Sequence, residues 1–369
     1  MLGDSIHQYA YFLAIGLLSV LILSQSFSVG RSRLVLRKNR VRPGHSNSGP
    51  LLVIFLINVG FALLIIIGSR LSAVRDTSGL GLLYPGLFGI SSYLLYWVCP
   101  KINARTSLFV AAQTILLILL YSLFVWSGFG RIMIAAYCLI PLLVLHHYGH
   151  LNFRPWAAFV AAPLGIVLSS VLRWSVQDRQ GGGFLPELKR ELISGSVGAH
   201  LDLTAKMFEL RDTKLGAYLF STNFVEQYSL LFLQWVPRVA WPSKPIGIGL
   251  VFVDDFLNRQ ATSAEYSVSL GFIGEHLYFS GDLWPFTLAV TLGSLLGIRR
   301  TLMALSKSAF FVILFDVSLI SYVWGGMAAF GSRFWLIFIP VLVFSWLWNT
   351  LLTAGKAELS PRRLPLGPL

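Results

Sequence analysis

Two basic residues stand in a short proline-rich string in the second half of the chain. Arg238 and Lys244 flank Trp241 within Pro237–Pro245, a string that contains three prolines. Proline fixes φ and reduces the freedom of the unfolded chain, so the string predicts a loop held in one shape. Arginine binds phosphate oxygens in bidentate fashion, and lysine adds a point charge. The string therefore predicts a pyrophosphate site, although a turn with interfacial Arg, Lys and Trp has the same composition.

A carboxylate and an imidazole follow about thirty residues later. Glu275 and His276 lie in a segment with glycines at both ends, Gly271–Gly281. Either side chain could take a proton from an acceptor hydroxyl as a general base. Neighbouring residues on a helix point about 100° apart, so we expect one of the two to face a site. The alternative is a helix entry with ordinary interfacial polar residues.

Further cations and aromatic residues could complete such a site. Arg333, Arg173 and Arg211 are candidates for the same pyrophosphate, and an arginine at a helix end also serves as a membrane anchor. Sugars stack on aromatic faces, and interfacial aromatic belts give a similar composition. The aromatic residues concerned are Trp235, Trp241, Tyr266, Tyr278 and Trp284.

Three other polar groups favour ordinary roles. Asp316 is an intramembrane carboxylate, for which we favour helix packing. His146, His147 and His150 have the spacing of metal ligands, but no carboxylate is near them in the sequence, so we interpret them as an interfacial cluster. The adjacent Asp254 and Asp255 are weak grounds for a divalent ion. We therefore predict no metal site.

The elements that must position these residues are membrane helices. The chain is 55% hydrophobic and 12% charged, whereas soluble domains carry about 25% charged residues. Continuous apolar runs of about 20 residues are long enough to cross a bilayer as helices. The predicted spans, nine in number, are 8–29, 51–69, 82–99, 107–127, 131–147, 156–172, 283–298, 309–329 and 334–352.

The distribution of charge predicts the orientation of these spans. The first loop, 30–50, contains six Lys and Arg residues and no acid, which is typical of the cytoplasmic side. The N-terminus is then outside, and four further basic segments fall inside. Those segments contain Lys101 and Arg105; Arg154; Arg299, Arg300 and Lys307; and Lys356, Arg362 and Arg363. A net charge of +13 is thereby explained by topology rather than by nucleic-acid binding.

One polar segment, 173–284, falls on the outside and contains twelve of the 16 Asp and Glu residues. We predict three parts of the chain: N-terminal membrane helices at 1–172, a large outer loop at 173–282, and C-terminal membrane helices with a cytoplasmic tail at 283–369. Within the loop, residues 187–211 are predicted to form one or two amphipathic helices. Residues 215–235 are either a tenth span or a helix on the membrane surface.

The order of these parts resembles the O-antigen polymerases of the Wzy type, also called oligosaccharide repeat unit polymerases. The resemblance lies in Pro237-Arg238-x-x-Trp241-Pro242-x-Lys244-Pro245, followed by Gly274-Glu275-x-x-Tyr278-x-x-x-Gly281 and the last three spans. These strings cover about a tenth of the chain, and Ser280 stands where the family pattern often has Asn.

The resemblance implies an all-α polytopic enzyme of the bacterial inner membrane, with about nine to ten transmembrane helices in a GT-C-like fold. Such enzymes act at the periplasmic face without a metal, and they transfer a glycan from undecaprenyl pyrophosphate onto a lipid-linked repeat unit. Glu275, or His276 as second choice, would be the base, and Arg238, Lys244 and Arg333 would stabilise the leaving pyrophosphate. The expected partners are the lipid-linked donor and acceptor, membrane lipids and a chain-length-regulating co-polymerase.

Two alternatives remain open from the sequence. An O-antigen ligase, which moves finished polymer onto lipid A core, would use a histidine of the large loop, such as His200 or His276. A transporter of lipid-linked glycans would carry charges along several spans and show repeat symmetry. Because Asp316 is the one acidic residue within a predicted span and no repeat is present, we rank the transporter lower.

Overall fold

The computed structural model describes residues 48–70, 83–124, 131–152, 223–247, 249, 270–280, 283–305 and 308–358. The regular structure of these ranges is helical, without a strand. The helices are α1 (Ser48–Arg70), α2 (Leu83–Val98), α3 (Ala104–Phe124), α4 (Arg131–His147), α5 (Asn223–Leu233), α6 (Gly271–Ser280), α7 (Trp284–Leu305) and α8 (Ala309–Glu358), with a 3-10 turn at Cys99–Lys101 after α2.

Four of these helices are long and apolar enough to cross a membrane: α1, α3, α7 and α8. Large apolar side chains such as Leu56 and Phe109 are exposed on them, as expected where lipid is the solvent. The described chain is thus compatible with a polytopic membrane protein. Each predicted span from 51–69 to 131–147 falls on a helix, whereas 8–29 and 156–172 lie outside the described residues.

The last helix, α8, is folded back on itself at Gly326. This residue has non-helical angles, φ 75° and ψ −163°. The rings of Phe311 and Phe338 lie 5.3 Å apart, and those of Phe315 and Phe334 lie 5.4 Å apart. A straight helix would separate the first pair by about 40 Å, at about 1.5 Å per residue. The element is therefore a hairpin of two helices, α8a (309–325) and α8b (327–358).

This hairpin corrects the predicted boundary between the last two spans. The prediction placed the connection at 330–333, between spans 309–329 and 334–352. The turn instead lies at Gly326, and 330–333 is helical. The positive φ explains the difference, because glycine adopts it without the clash that a Cβ would cause. Arg333 consequently lies within α8b rather than in an outer loop.

Contacts between side chains give the relative directions of the helices. Helices α2, α4, α7 and α8b run one way, and α3 and α8a run the other way. Helix α2 contacts α3 through Tyr84–Tyr121 and Ser91–Thr114, and it contacts α4 through Phe88–Tyr137 and Tyr96–Tyr148. It contacts α8b through Gly86–Pro340, Tyr93–Phe344 and Trp97–Trp348. Helix α7 contacts α8a through Arg299–Asp316 and through His276, which bridges Thr287 to Tyr322. These directions agree with the alternation that the predicted spans require. The side of the membrane on which each end of the bundle lies remains a prediction from the distribution of charge.

One end of this bundle, which we call the turn end, contains Gly326. Trp284, at the start of α7, also lies there, whereas His147, at the end of α4, lies at the opposite end. The short helices α5 and α6 are at the turn end as well, because they contact α8 next to Gly326 and Gly331. Helix α5 is about 16 Å long at about 1.5 Å per residue, and residues 215–222 of the segment predicted as a tenth span or surface helix lie outside the described residues.

A buried ion pair joins α7 to α8a. Nε of Arg299 donates to Oδ1 of Asp316 at 2.7 Å, and its NH2 donates to Oδ2 at 3.1 Å. Asp316, for which the sequence predicted a role in helix packing, therefore has Arg299 as a buried partner. The predicted end of the span at 298 was wrong, because it placed Arg299 in a loop; the cytoplasmic side of this residue stays a prediction. Helix α7 continues to Leu305 and buries Arg299 against Asp316.

Candidate functional site

The turn of the α8 hairpin is in direct contact with Glu275 of α6. Oε2 of this carboxyl group accepts a hydrogen bond from the backbone N–H of Met327, at 2.7 Å. A Cβ on Gly326 would lie 2.6 Å from Cδ of Glu275 and 2.9 Å from its Oε1. Glycine is thus required at this position by both the backbone angles and the closeness of the carboxyl group. The carboxyl group covers the N-terminus of α8b, where unpaired N–H groups favour a negative charge.

Burial strongly affects the protonation of Glu275. Its side chain is fully buried, and desolvation raises its pKa to about 8, although the Met327 N–H opposes the shift. Its Oε1 is buried and has no hydrogen-bond partner in the part of the chain that the structure describes. A buried carboxyl oxygen without a partner is costly and is commonly associated with a functional site. The arrangement could accept a proton from a hydroxyl group delivered to Oε1.

His276 faces a different neighbour and connects three helices. Its Nδ1 is 3.1 Å from Oγ1 of Thr287 on α7, and its Nε2 is 2.9 Å from the hydroxyl of Tyr322 on α8a. Desolvation lowers the pKa of His276 to about 3. A neutral imidazole has one donor and one acceptor nitrogen, so both hydroxyl contacts can be satisfied at once. This geometry positions α6, and through it Glu275, against the hairpin.

The proline-rich string forms a loop that is bonded to itself. NH1 of Arg238 donates to the carbonyl of Lys244 at 2.8 Å, and its NH2 donates to the carbonyl of Pro245 at 3.3 Å. Lys244 Nζ donates to the carbonyls of Gln234 and Val236 at 2.6 and 2.9 Å, just beyond the end of α5. Burial, with a smaller contribution from Arg238, lowers the pKa of Lys244. Both cations predicted to bind pyrophosphate therefore also stabilise their own loop, while the Arg238 side chain remains exposed.

Helix α5 packs against the beginning of α8b, and Gly247, two residues beyond the loop, lies beside Ala328 of α8b. A Cβ on Gly331 would meet the carbonyl of Leu230 and would lie 2.9 Å from Cβ of Gln234. Gln227 Nε2 donates to the carbonyl of Ile246 at 2.7 Å and holds the end of the loop on α5. Trp335 Nε1 donates to the carbonyl of Leu231 at 2.8 Å. Glu275 and α5, which leads into the basic loop, thus both contact the first turns of α8b.

The remaining predicted site residues have different surroundings. Tyr278 is 6% exposed, and its ring packs against Phe279 at 5.1 Å. It therefore lies in the interior of the described helices, and its role in glycan binding stays a prediction. Trp241 is half-buried within the loop. Arg333 is half-buried on α8b. The last three predicted site residues, Arg173, Arg211 and Tyr266, lie outside the described residues.

Sequence reasoning missed the partners that make this site. The Met327 N–H and the hydroxyls of Thr287 and Tyr322 have no motif of their own. The Gly325-Gly326 pair within an apolar run was a usable signal for the turn. No group of three metal-ligating side chains occurs within the described ranges. Of the predicted histidine cluster, His146 and His150 contact the carbonyls of Leu151 and Cys99.

No family model, curated protein or solved structure matches this chain. Any assignment of function therefore depends on the chemistry of the residues around the hairpin turn.

Proposed function

We propose that this protein is a membrane glycosyltransferase that polymerises undecaprenyl-pyrophosphate-linked oligosaccharide repeat units at the outer face of the bacterial inner membrane. One observation supports this proposal above the others. A buried carboxyl group, Glu275, has an oxygen without a hydrogen-bond partner among the described residues and contacts the first turn of α8b. The rigid basic loop with Arg238 and Lys244 connects α5 to Gly247, and both of these lie against the same end of α8b. Glycosyl transfer from a lipid pyrophosphate needs both a base and positive charge.

In this mechanism Glu275 is the general base. The acceptor hydroxyl attacks the anomeric carbon of the donor glycan, and a new glycosidic C–O bond forms. The proton of the acceptor hydroxyl passes to Oε1 of Glu275, while the bond from the anomeric carbon to the pyrophosphate oxygen breaks. The leaving pyrophosphate keeps that electron pair. A base with a pKa of about 8 suits proton transfer near neutral pH, because catalysis is favoured when the pKa is close to the working pH.

The basic residues stabilise the charge that develops on the leaving group. Arg238 is exposed and uses two of its nitrogens to fix the loop, so its outward face can bind phosphate oxygens. Lys244 contributes mainly by shaping the loop and by its charge. A loop already bonded to itself needs little reorganisation when charge develops, and such preorganisation is an effective source of electrostatic stabilisation.

The test compares Glu275→Gln with Glu226→Gln in a strain that lacks its chromosomal copy of the gene. Glu226 is a matched control, because it is an exposed carboxylate on α5. We expect Glu275→Gln to reduce polymer at least 100-fold, in the range attributed to a general base, with unchanged protein level. Glu226→Gln should support normal polymer. A normal polymer ladder from Glu275→Gln would remove this residue from the mechanism.

The same strain distinguishes a polymerase from a ligase. Loss of a polymerase leaves single repeat units, which accumulate on the lipid carrier and on lipid A core. Loss of a ligase leaves finished polymer on the lipid carrier and none on the core. The second result would overturn the proposed function in favour of the ligase. Purified protein with lipid-linked repeat units should form a ladder without addition of lipid A core.

A further inference from the structure

The hydrogen bonds on the two sides of the His276 ring have a fixed direction. Oγ1 of Thr287 donates to the carbonyl of Trp284 at 3.2 Å, and a carbonyl oxygen can only accept. Since a threonine hydroxyl has a single proton, Oγ1 must accept from Nδ1 of His276, which lies 3.1 Å away. Nδ1 therefore carries the proton of the neutral imidazole. Nε2 is then the acceptor, and the hydroxyl of Tyr322 donates to it at 2.9 Å.

Both ring nitrogens of His276 are occupied by this chain of hydrogen bonds. The His276 and Tyr322 side chains are both buried, so the chain is shielded from water. A general base needs a lone pair directed at the hydroxyl that it deprotonates. The lone pair of Nε2 is directed at Tyr322, and Nδ1 carries a proton. His276, the second choice for the base, is therefore not placed to receive the proton of an acceptor.

Tyr322 contacts α6 at two positions on one face. Its hydroxyl bonds His276, and its ring lies 5.9 Å from that of Phe272. These two residues of α6 are four positions apart, so they lie one above the other on the helix. Tyr322 itself precedes Gly326 by four residues, a rise of about 6 Å along α8a. The hairpin thus holds α6 through Tyr322 on one strand and holds Glu275 through the Met327 N–H on the other.

We propose that Tyr322 is a positioning residue for the glycosyl transfer, because its bond to His276 fixes the rotation of α6 about its axis and thereby the place of the Glu275 carboxyl group. This inference rests on the proposed function. Glu275 and His276 point about 100° apart, so each constrains the other. Side-chain atoms lie about 6 Å from a helix axis, so a rotation of about 10° would move the carboxyl group by about 1 Å. A displacement of that size can lower a rate about 100-fold.

Kinetics of the full-length protein in nanodiscs, with lipid-linked repeat units as substrate, test this role. We expect Tyr322→Phe to lower kcat about 10- to 100-fold and to leave KM within about twofold, because the base is displaced while the groups that bind substrate are intact. His276→Gln should retain more activity than His276→Leu, since an amide still offers a donor and an acceptor. Tyr93→Phe is the matched control and should be fully active, because Tyr93 is a buried tyrosine of α2 that packs against Phe310 at the start of α8a.

Two spectroscopic measurements test the same role without an activity assay. In protein with nitrogen-15-labelled histidine, the His276 resonances, assigned by their loss in His276→Gln, should show a protonated Nδ1 and an unprotonated Nε2. Infrared titration of the Glu275 carboxyl group, assigned by its loss in Glu275→Gln, should give a higher pKa in Tyr322→Phe than in wild type. The rise should be about one pH unit or more, because the carboxylate loses the Met327 N–H when α6 shifts. Tyr93→Phe should leave this pKa unchanged.

Several outcomes would overturn the positioning role. A protonated Nε2 in wild type would do so, as would an unchanged kcat or an unchanged Glu275 pKa in Tyr322→Phe. An equal loss of activity in Tyr93→Phe would show general destabilisation instead. Complete loss of activity in His276→Gln, with the Glu275 pKa unchanged, would make His276 itself catalytic. The proposed function fails separately if wild type forms no polymer, and the two spectroscopic measurements then still decide whether Tyr322 positions Glu275.

Discussion

Replacing Gly326 with alanine tests whether the hairpin turn and Glu275 depend on each other. Two costs add. The backbone at φ 75° and ψ −163° lies in a region that is essentially limited to glycine, and a side chain there costs about 1–3 kcal/mol. The new Cβ would also lie 2.6 Å from Cδ of Glu275. The carboxyl group must then move and lose the Met327 N–H, a bond of about 1.5–3 kcal/mol if Glu275 is charged.

We therefore expect Gly326→Ala to lower the free energy of unfolding by about 2.5–6 kcal/mol. The two costs separate in a double-mutant cycle with Glu275→Ala. Without the carboxyl group, alanine at 326 should cost only the backbone strain, so the coupling between the two substitutions should be about 1.5–3 kcal/mol. The assay is reversible unfolding in mixed micelles, followed by far-ultraviolet circular dichroism.

Gly297→Ala on α7 is the matched control, because a Cβ there would meet nothing within 4 Å. It should be neutral or slightly stabilising, since alanine favours helix over glycine. A Gly326→Ala protein as stable as wild type would refute the described turn. Additive effects of Gly326→Ala and Glu275→Ala would refute the crowding of Glu275 against Gly326.

Two further predictions concern the groups that hold α6, α7 and α8 together. Arg299→Met or Asp316→Leu alone should destabilise the protein by about 3–5 kcal/mol, because each leaves a buried charge unpaired, whereas the double variant should recover most of the loss. Thermal unfolding in detergent measures these stabilities. Equal losses in all three variants would argue against a buried pair. The folded pKa of Glu275 is raised to about 8 from 4.5, so its contribution to stability should be lost as pH rises from about 4.5 to about 8. The folded pKa of His276 is lowered to about 3 from 6.5, so its contribution should be lost as pH falls from about 6.5 to about 3. Melting temperatures across this range should lose the first dependence in Glu275→Gln and the second in His276→Gln, and an unchanged profile in both variants would contradict the burial of these groups.

The sequence was sufficient to locate most of the described helices. Runs such as 51–69 and 131–147 are apolar on all sides, so length and composition alone locate them. One boundary failed where a polar residue is buried with a partner, and another failed where the turn is a single glycine, Gly326. Arg299 was interpreted as a loop residue because its partner, Asp316, lies on the next helix, and hydropathy treats each residue separately.

The candidate site was predictable in its residue types but not in its contacts. Glu275 and Arg238 stand out in an apolar chain, and their motifs indicated chemistry. The group that contacts Glu275 is the backbone N–H of Met327, which every residue except proline possesses. His276 and Tyr322 are separated by 46 residues, and their contact follows from the packing of α6 against α8a, which no local pattern encodes.

The tight turn at Gly326 has a practical consequence for mapping the topology of this protein. Topology is commonly mapped with cysteine labels or epitope tags at the connections between spans, on the assumption that each connection meets solvent. Here the connection is a single residue covered by Glu275, and Met327 beside it is fully buried. A cysteine at 327 should resist membrane-impermeant maleimides from either side. An inserted tag would separate α8a from α8b, so labelling at this connection would give a negative result regardless of the side on which it lies.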